Sequence, residues 1–268
     1  MRYGLIGEKL GHSYSKIIHE TLADYTYDLI PLTKEEFIPF MEKKDFTAIN
    51  VTIPYKKAVI PYLDELHPLA NEIGAVNTIV NRDGHYIGYN TDFYGFKYML
   101  QHNGIRIEGK KCLVLGDGGT SQTVQAVIKH LGASEIFVVS RKASNEEFMD
   151  SVVSKATGRI RTISYETCYA EHTDAEVILN TTPAGMYPNI DASPLDLTTF
   201  IKCEAVIDAI FNPRKTKLAL QAESLGIKAV TGLEMLVAQA KQAIEYFLDK
   251  QIDDKVIDDM YQELLKTV

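Results

Sequence analysis

The chain has 268 residues, 46% of them hydrophobic and 24% charged, the balance of a soluble globular protein with room for one large α/β domain or two small ones. Its 28 lysines and arginines against 36 aspartates and glutamates leave a net charge of −8, and nothing in that balance favours nucleic acid, whose backbone requires a basic face. No apolar run is long enough to cross a membrane. No N-terminal leader is expected, because Met1-Arg2 runs straight into the strand-like Tyr3-Gly4-Leu5-Ile6-Gly7.

Strands are expected at Leu5-Ile6, Tyr27 to Leu32 and Ala48 to Ile53, with helices at Ser15 to Tyr25, Lys34 to Lys44 and Lys56 to Leu66. A hairpin follows, Val76 to Asn81 and Tyr86 to Tyr89, turned at Asp83-Gly84. The next helix, from about Asp92 to His102, stops at Asn103-Gly104. Beyond Gly109 the texture changes to short, continuously apolar strands at Cys112 to Leu115, Ile136 to Val139, Ile160 to Ile163, Val177 to Leu179, Val206 to Ile210 and Lys228 to Val230. Such runs, separated by helices, mark a parallel sheet buried on both faces. Helices close the chain at Glu234 to Leu248 and Asp253 to Leu265. The expected architecture is an α/β substrate domain over residues 1–103 and a doubly wound, Rossmann-like domain over 104–235. The helices of 236–268 are expected to pack back on the first domain.

Three cysteines, Cys112, Cys168 and Cys203, are too few for a disulfide framework and too widely spaced for a metal knuckle. They are expected to be buried apolar filler in a reducing cytoplasm, and no metal site is expected.

Gly116-Asp117-Gly118-Gly119-Thr120-Ser121 joins a strand to a helix, as a dinucleotide-binding turn does. Glycines let the backbone approach a pyrophosphate, and the helix start offers free N–H groups and a positive dipole end. The spacing by itself is weak, since Ser121 replaces the last glycine and such turns can be purely structural. An NAD enzyme usually carries an acid at the end of the next strand, to bond the ribose 2′-hydroxyl. Here the residues are Ser140-Arg141-Lys142, and a guanidinium and an ammonium suit the 2′-phosphate of NADP. Asp117 is awkward: beside a pyrophosphate, either its carboxylate points into solvent or cofactor affinity is modest.

The first hundred residues hold polar clusters that propensity does not explain: His12-Ser13-Tyr14-Ser15, Asn50-Val51-Thr52-Ile53-Pro54-Tyr55-Lys56, Gly74-Ala75-Val76-Asn77-Thr78 and Tyr89-Asn90-Thr91-Asp92. Singly, each has a plain explanation: Ser13, Ser15 and Asp92 can be helix caps, and Lys56 a surface lysine. Together with the glycine-rich turn and Gly232-Leu-Glu-Met-Leu-Val-Ala-Gln239-Ala, in this order along nearly the whole chain, they resemble the shikimate dehydrogenase family.

The resemblance implies a reversible, NADPH-dependent reduction of 3-dehydroshikimate to shikimate, a step toward aromatic amino acids. It makes Lys56 and Asp92 the catalytic pair, Ser13 and Ser15 the holders of the substrate carboxylate, and Thr52, Asn77 and Gln239 partners of the ring hydroxyls. It places Gly116, Asp117, Gly118, Gly119 and Thr120 on the pyrophosphate, Ser140, Arg141 and Lys142 on the 2′-phosphate, and Asn180, Thr181, Thr182 and Gly232 along the nicotinamide. A cytoplasmic protein is expected, as a monomer or homodimer. Four positions depart from the family's pattern. Lys16 stands for a Pro, Thr231 and Glu234 replace an Asp and a Gly, and Phe211 replaces a substrate-contacting Tyr, removing one hydroxyl contact. Two alternatives stay open: a quinate or quinate/shikimate dehydrogenase of broader specificity, using NAD or NADP, and a catalytically idle, shikimate-binding regulator. The basic Arg141-Lys142 pair argues against the first, and the presence of both Lys56 and Asp92 against the second.

Overall fold

The computed structural model describes residues 2–11, 13–143 and 160–267. The chain forms two compact units, one of Met1–Phe96 with Glu234–Thr267 and the other centred on Lys97–Leu233. The first contains β1 (Tyr3–Gly7), α1 (Tyr14–Leu22), β2 (Tyr27–Pro31), α2 (Lys34–Lys43), β3 (Ala48–Val51), β4 (Glu65–Leu66), α3 (Pro68–Ile73), β5 (Thr78–Arg82) and β6 (His85–Tyr89). The division falls inside the helix that follows, α4 (Thr91–His102).

The first sheet runs β2-β1-β3-β5-β6-β4. β1 is parallel to β2 and β3, whereas β5 is antiparallel to both β3 and β6. The sharp reversal between β5 and β6 is made by Asp83 (φ 53°) and Gly84 (φ 90°), two successive left-handed residues as a tight hairpin requires. α2 starts on a reciprocal capping box between Thr33 and Glu36, which satisfies N–H groups that would otherwise be orphaned.

The helix expected at Lys56 to Leu66 does not form. The segment is a series of turns, with one short 3₁₀ turn at Ile60–Tyr62 before β4. Pro61 is the reason: mid-helix it would remove a hydrogen bond and clash with the preceding turn. The chain instead adds an edge strand, in which Asp64 and His67 donate backbone N–H groups to Tyr86 and Gly88.

The second unit contains β7 (Lys111–Leu115), α5 (Gly119–His130), β8 (Glu135–Val139), β9 (Ile160–Ile163), α6 (Tyr165–Glu171), β10 (Val177–Asn180), β11 (Ala205–Asp208), α7 (Lys217–Ser224) and β12 (Lys228–Thr231). Its strand order is β12-β11-β10-β7-β8-β9, and every pair is parallel. β10 and β11 are buried along their whole length, which is why they read as continuous apolar runs rather than alternating ones. The order reverses between β7 and β10, the topological switch point at which doubly wound sheets bind ligands.

All three cysteines are free and buried. Burial pushes the Cys112 thiol up to about 12 and those of Cys168 and Cys203 to about 11, so they are packing groups rather than nucleophiles.

The chain ends in α8 (Leu233–Leu248) and α9 (Lys255–Leu264), both in the first unit apart from Leu233. α8 meets the first sheet through Tyr246, whose ring stacks on Tyr89 of β6 at 4.0 Å between centroids. Lys241 of α8 donates to Glu245 and, at 2.8 Å, to Asp254 just before α9.

Candidate catalytic and cofactor sites

In the first unit, β1 and β3 run parallel and in register, Ile6 beside Val51, so the segments that follow them leave the sheet at the same end. β5 begins and β6 ends there too, since Thr78 pairs with both Asn50 and Tyr89. The described residues of all four polar clusters are thereby brought to one end of one sheet.

Lys56 is held there by its neighbours. Past β3 the chain turns, Thr52 donating its N–H to Ile6 and Tyr55 donating its own to Thr52, both at 2.9 Å. The Tyr55 ring stacks on Phe37 and its hydroxyl donates to the Leu32 carbonyl at 2.7 Å, while the Lys56 carbonyl accepts from Val76. The Lys56 Nζ donates to Asp92 Oδ2 at 2.6 Å, with side chains 20% and 13% exposed. Asp92 stands in the first turn of α4 but does not serve as its cap. That role falls to Asn90, whose Oδ1 accepts from the Phe93 N–H at 3.2 Å. Sheltered charges are kept only when paired, and here the pair remains open enough to meet a ligand.

Beside this pair runs a buried polar chain. Tyr27 donates to Asn50 at 2.6 Å, and Asn50 donates to Thr78 at 3.0 Å. Asn77 Oδ1 accepts from Thr78 and from the Thr91 N–H, while its Nδ2 donates to Thr91 Oγ1. Thr91 Oγ1 in turn donates to Gln239 Oε1 at 3.3 Å. Burial pushes the Tyr27 phenol well above its usual range, so it is a neutral donor at the root of the chain. Asn77 and Gln239, far apart in sequence, are thus fixed against one threonine.

Gly95 makes that meeting possible. A Cβ there would lie 2.6 Å from the Met235 carbonyl and 2.8 Å from Gln239 Cβ. Sequence reading included Asn50 and Thr91 in its polar clusters without giving either a role, and it missed Gly95. The signal for Gly95 was a glycine inside a helix, a choice that costs stability unless a close approach requires it.

Ser13 and Ser15 sit half-buried at the start of α1. Ser13 occupies the N-cap position, yet its hydroxyl makes no capping bond, so capping does not account for it. His12 lies outside the described residues. Lys16, in place of Pro, donates to Glu20 and to the Tyr27 carbonyl, each at 2.6 Å, and ties α1 to the sheet. Thr52 closes over Gly7, where any Cβ would come within 2.5 Å of its methyl group.

In the second unit, Gly116 (φ 98°) turns the chain out of β7, with Thr181 and Thr182 so close that a Cβ would meet them at 3.0 Å. α5 begins after Gly118 with no side chain capping it, which leaves N–H groups at its start. A Cβ at Gly118 or Gly119 would meet no heavy atom within 4 Å. This open space before an uncapped helix, at the switch point, fits a pyrophosphate.

At the end of β8, Ser140 is buried, while Arg141 and Lys142 are exposed. Asp117 is exposed, yet its carboxylate is engaged: it accepts from Ser140 Oγ at 3.1 Å and pairs with Lys142 Nζ at 3.1 Å. Burial opposes its charge, but the bonds from Lys142 and Ser140 outweigh it and hold its carboxyl below the usual range.

Asn180 is 1% exposed and turned into the strand ends. It donates to Asp208 at 3.0 Å and accepts from both the N–H and the hydroxyl of Thr182. Burial pushes the Asp208 carboxyl up, against bonds from Thr216, Ile210 and Asn180. In sequence Asp208 lay inside the strand expected at Val206 to Ile210 and was given no role, whereas the strand ends at Asp208 itself. Gly232 lets the chain leave β12 past the residues that follow β11, since a Cβ there would collide with the Ala209 carbonyl. Phe211 is half-buried just beyond.

Known proteins match this arrangement closely. Residues 5–79 match the model of the shikimate dehydrogenase substrate binding domain. A relative from Clostridium beijerinckii, named shikimate dehydrogenase (NADP(+)), is 37% identical over 97% of this chain and 96% of its own. The chorismate mutase/shikimate 5-dehydrogenase fusion protein of Clostridium acetobutylicum superposes with a TM-score of 0.90 at 36% identity, covering 99% of this chain and 97% of that one. Shikimate 5-dehydrogenase of Thermus thermophilus, solved in complex with NADP(H) and shikimate, gives 0.82 at 27% identity, over 98% of this chain and 99% of that one.

Proposed function

The chain belongs to the shikimate dehydrogenase family, and we propose that it catalyses the reversible, NADPH-dependent reduction of 3-dehydroshikimate to shikimate. The observation that carries this reading is the Lys56–Asp92 pair, 2.6 Å long, at the sheet edge where Asn77 and Gln239 converge on Thr91.

Interconverting a ketone and a secondary alcohol moves a hydride and a proton, and bound NADP(H) exchanges the hydride alone. The proton falls to a side chain within hydrogen-bond reach of the reacting oxygen. Lys56 gives it during reduction and takes it back during oxidation. Its ammonium also stabilises the negative charge developing on that oxygen. Asp92 holds the Lys56 Nζ in place and shares the substrate hydroxyl. Ser13 and Ser15 receive the carboxylate, and Thr52, Asn77 and Gln239 the ring hydroxyls.

In the second unit Gly116, Gly118, Gly119 and Thr120 hold the pyrophosphate, with Arg141 chief among Ser140, Arg141 and Lys142 on the 2′-phosphate. Thr181, Thr182 and Gly232 lie on the nicotinamide side, with Asn180 supporting them from beneath. At Phe211 the hydroxyl that a tyrosine would add is missing. Among the described residues no helix is long and apolar enough to cross a membrane. We place the enzyme in the cytoplasm as a monomer or homodimer.

A steady-state assay crossing shikimate and quinate with NADP and NAD tests the reading. Shikimate with NADP should give the highest kcat/KM. Equal turnover of quinate would move the assignment to the broader quinate/shikimate class, and binding without turnover to an idle regulator.

A further inference from the structure

Asp117 is the only acid in the glycine-rich turn, Gly116 to Ser121, and it engages two of the three residues that would receive a 2′-phosphate. β7 and β8 are parallel neighbours, Leu115 beside Val139, so the residues just past their ends, Asp117 and Ser140, come together. Ser140 is 3% exposed, and its Oγ is committed on both sides: it donates to Asp117 and accepts the Lys142 N–H at 3.1 Å. The Lys142 ammonium lies 3.1 Å from the same carboxylate. Of the three, Arg141 is the one that Asp117 does not engage.

We propose that Asp117 is a specificity-determining residue, which competes with the cofactor 2′-phosphate for Ser140 and Lys142 and so narrows the preference for NADPH over NADH. The inference rests on reading the second unit as the cofactor domain.

A phosphate monoester carries a charge of about −2. Arg141 and Lys142 bring two positive charges to the turn, and Asp117 cancels one of them. A ribose bearing a plain 2′-hydroxyl faces no such conflict, because a carboxylate is the acceptor that NAD enzymes place near that hydroxyl. They bring it from the end of the second strand, whereas here it arrives from the loop after the first. The charge of Asp117 is tolerated where it stands because it precedes the positive end of α5.

The test is a titration of NADPH and NADH, followed by nicotinamide fluorescence, into the wild-type chain and the variants Asp117→Asn, Asp117→Ala and Asp117→Ala/Lys142→Ala. Removing the carboxylate should tighten NADPH by roughly two- to fivefold, the range of one partly exposed charge interaction, and leave NADH unchanged or weaker. The gain should shrink in high salt, which screens it. It should also be largely lost in the double variant, because it depends on the released Lys142. Asp117→Asn keeps the shape of the side chain and guards against a disturbed turn. Tightening of both nucleotides alike, or NADPH no tighter in either single variant, overturns the proposal. Loss of the cofactor reading itself has a different signature: Arg141→Ala would then leave NADPH affinity untouched.

Discussion

Asn90 accepts the Phe93 N–H at 3.2 Å and so relieves Asp92, one position before Phe93, of capping the helix it helps to open. The carboxylate is left to Lys56 at 2.6 Å. A residue that looks like a cap in sequence is thereby freed to meet Lys56, because Asn90 does the structural work.

The first prediction concerns that pair. Lys56→Ala should lower kcat by about 10²–10⁴, the usual contribution of a positioned acid–base group, while shikimate still binds. Turnover together with calorimetric binding of shikimate would check it. A variant that keeps wild-type kcat removes Lys56 from the proton path.

Arg141→Ala should weaken NADPH far more than NADH, because a planar guanidinium meets a phosphate with two parallel bonds and gains little from a hydroxyl. Dissociation constants for both nucleotides decide the matter. Equal losses would mean that Arg141 does not read the 2′-phosphate.

At Gly95 the crowding is backbone against side chain, with a Cβ placed 2.6 Å from the Met235 carbonyl. Gly95→Ala must push α8 outward, moving Gln239 away from Thr91. Overpacking of this kind costs about 1–3 kcal/mol, read from the urea midpoint. The KM for shikimate should rise as well. Unchanged stability with unchanged KM would show that α4 and α8 do not need this contact.

His19 predicts a pH dependence. It is fully buried, with its ring stacked on Tyr27 and Nδ1 bonded to the Tyr25 hydroxyl. Among the described residues its Nε2 has no hydrogen-bond partner. Burial lowers the imidazole to about 3, from an ordinary 6.5. Between those values the unfolded chain binds the proton and the folded chain does not. The stabilisation is complete above about pH 6.5 and falls with pH by up to about 1.4 kcal/mol per unit. Urea denaturation of the wild type and His19→Phe at about pH 7 and about pH 5 measures it. Only the wild type should lose this contribution, and identical pH slopes would refute it.

Much of this protein was determined by sequence alone. The apolar runs Cys112 to Leu115 and Val177 to Leu179 announced a buried parallel sheet, because strands covered on both faces have no reason to alternate. Asp83-Gly84 announced a hairpin, because few residues accept two left-handed conformations in succession. The ordered polar clusters identified the family. A local pattern was sufficient wherever the physics was local.

Tertiary structure decided the rest. Lys56 and Asp92 stand 36 residues apart and meet only because β3, β5 and β6 pair in one register. Asn77 and Gln239 share Thr91 because Gly95 lets two helices touch. The stretch from Lys56 to Leu66 had helical spacing, yet it joined the sheet edge once Pro61 denied it the helix and β6 offered hydrogen bonds. Asp117 could be placed in the glycine-rich turn from sequence, but its partners could not. Only the parallel pairing of β7 with β8 brings Ser140 and Lys142 to it, since charge recognises distance in space and not along the chain.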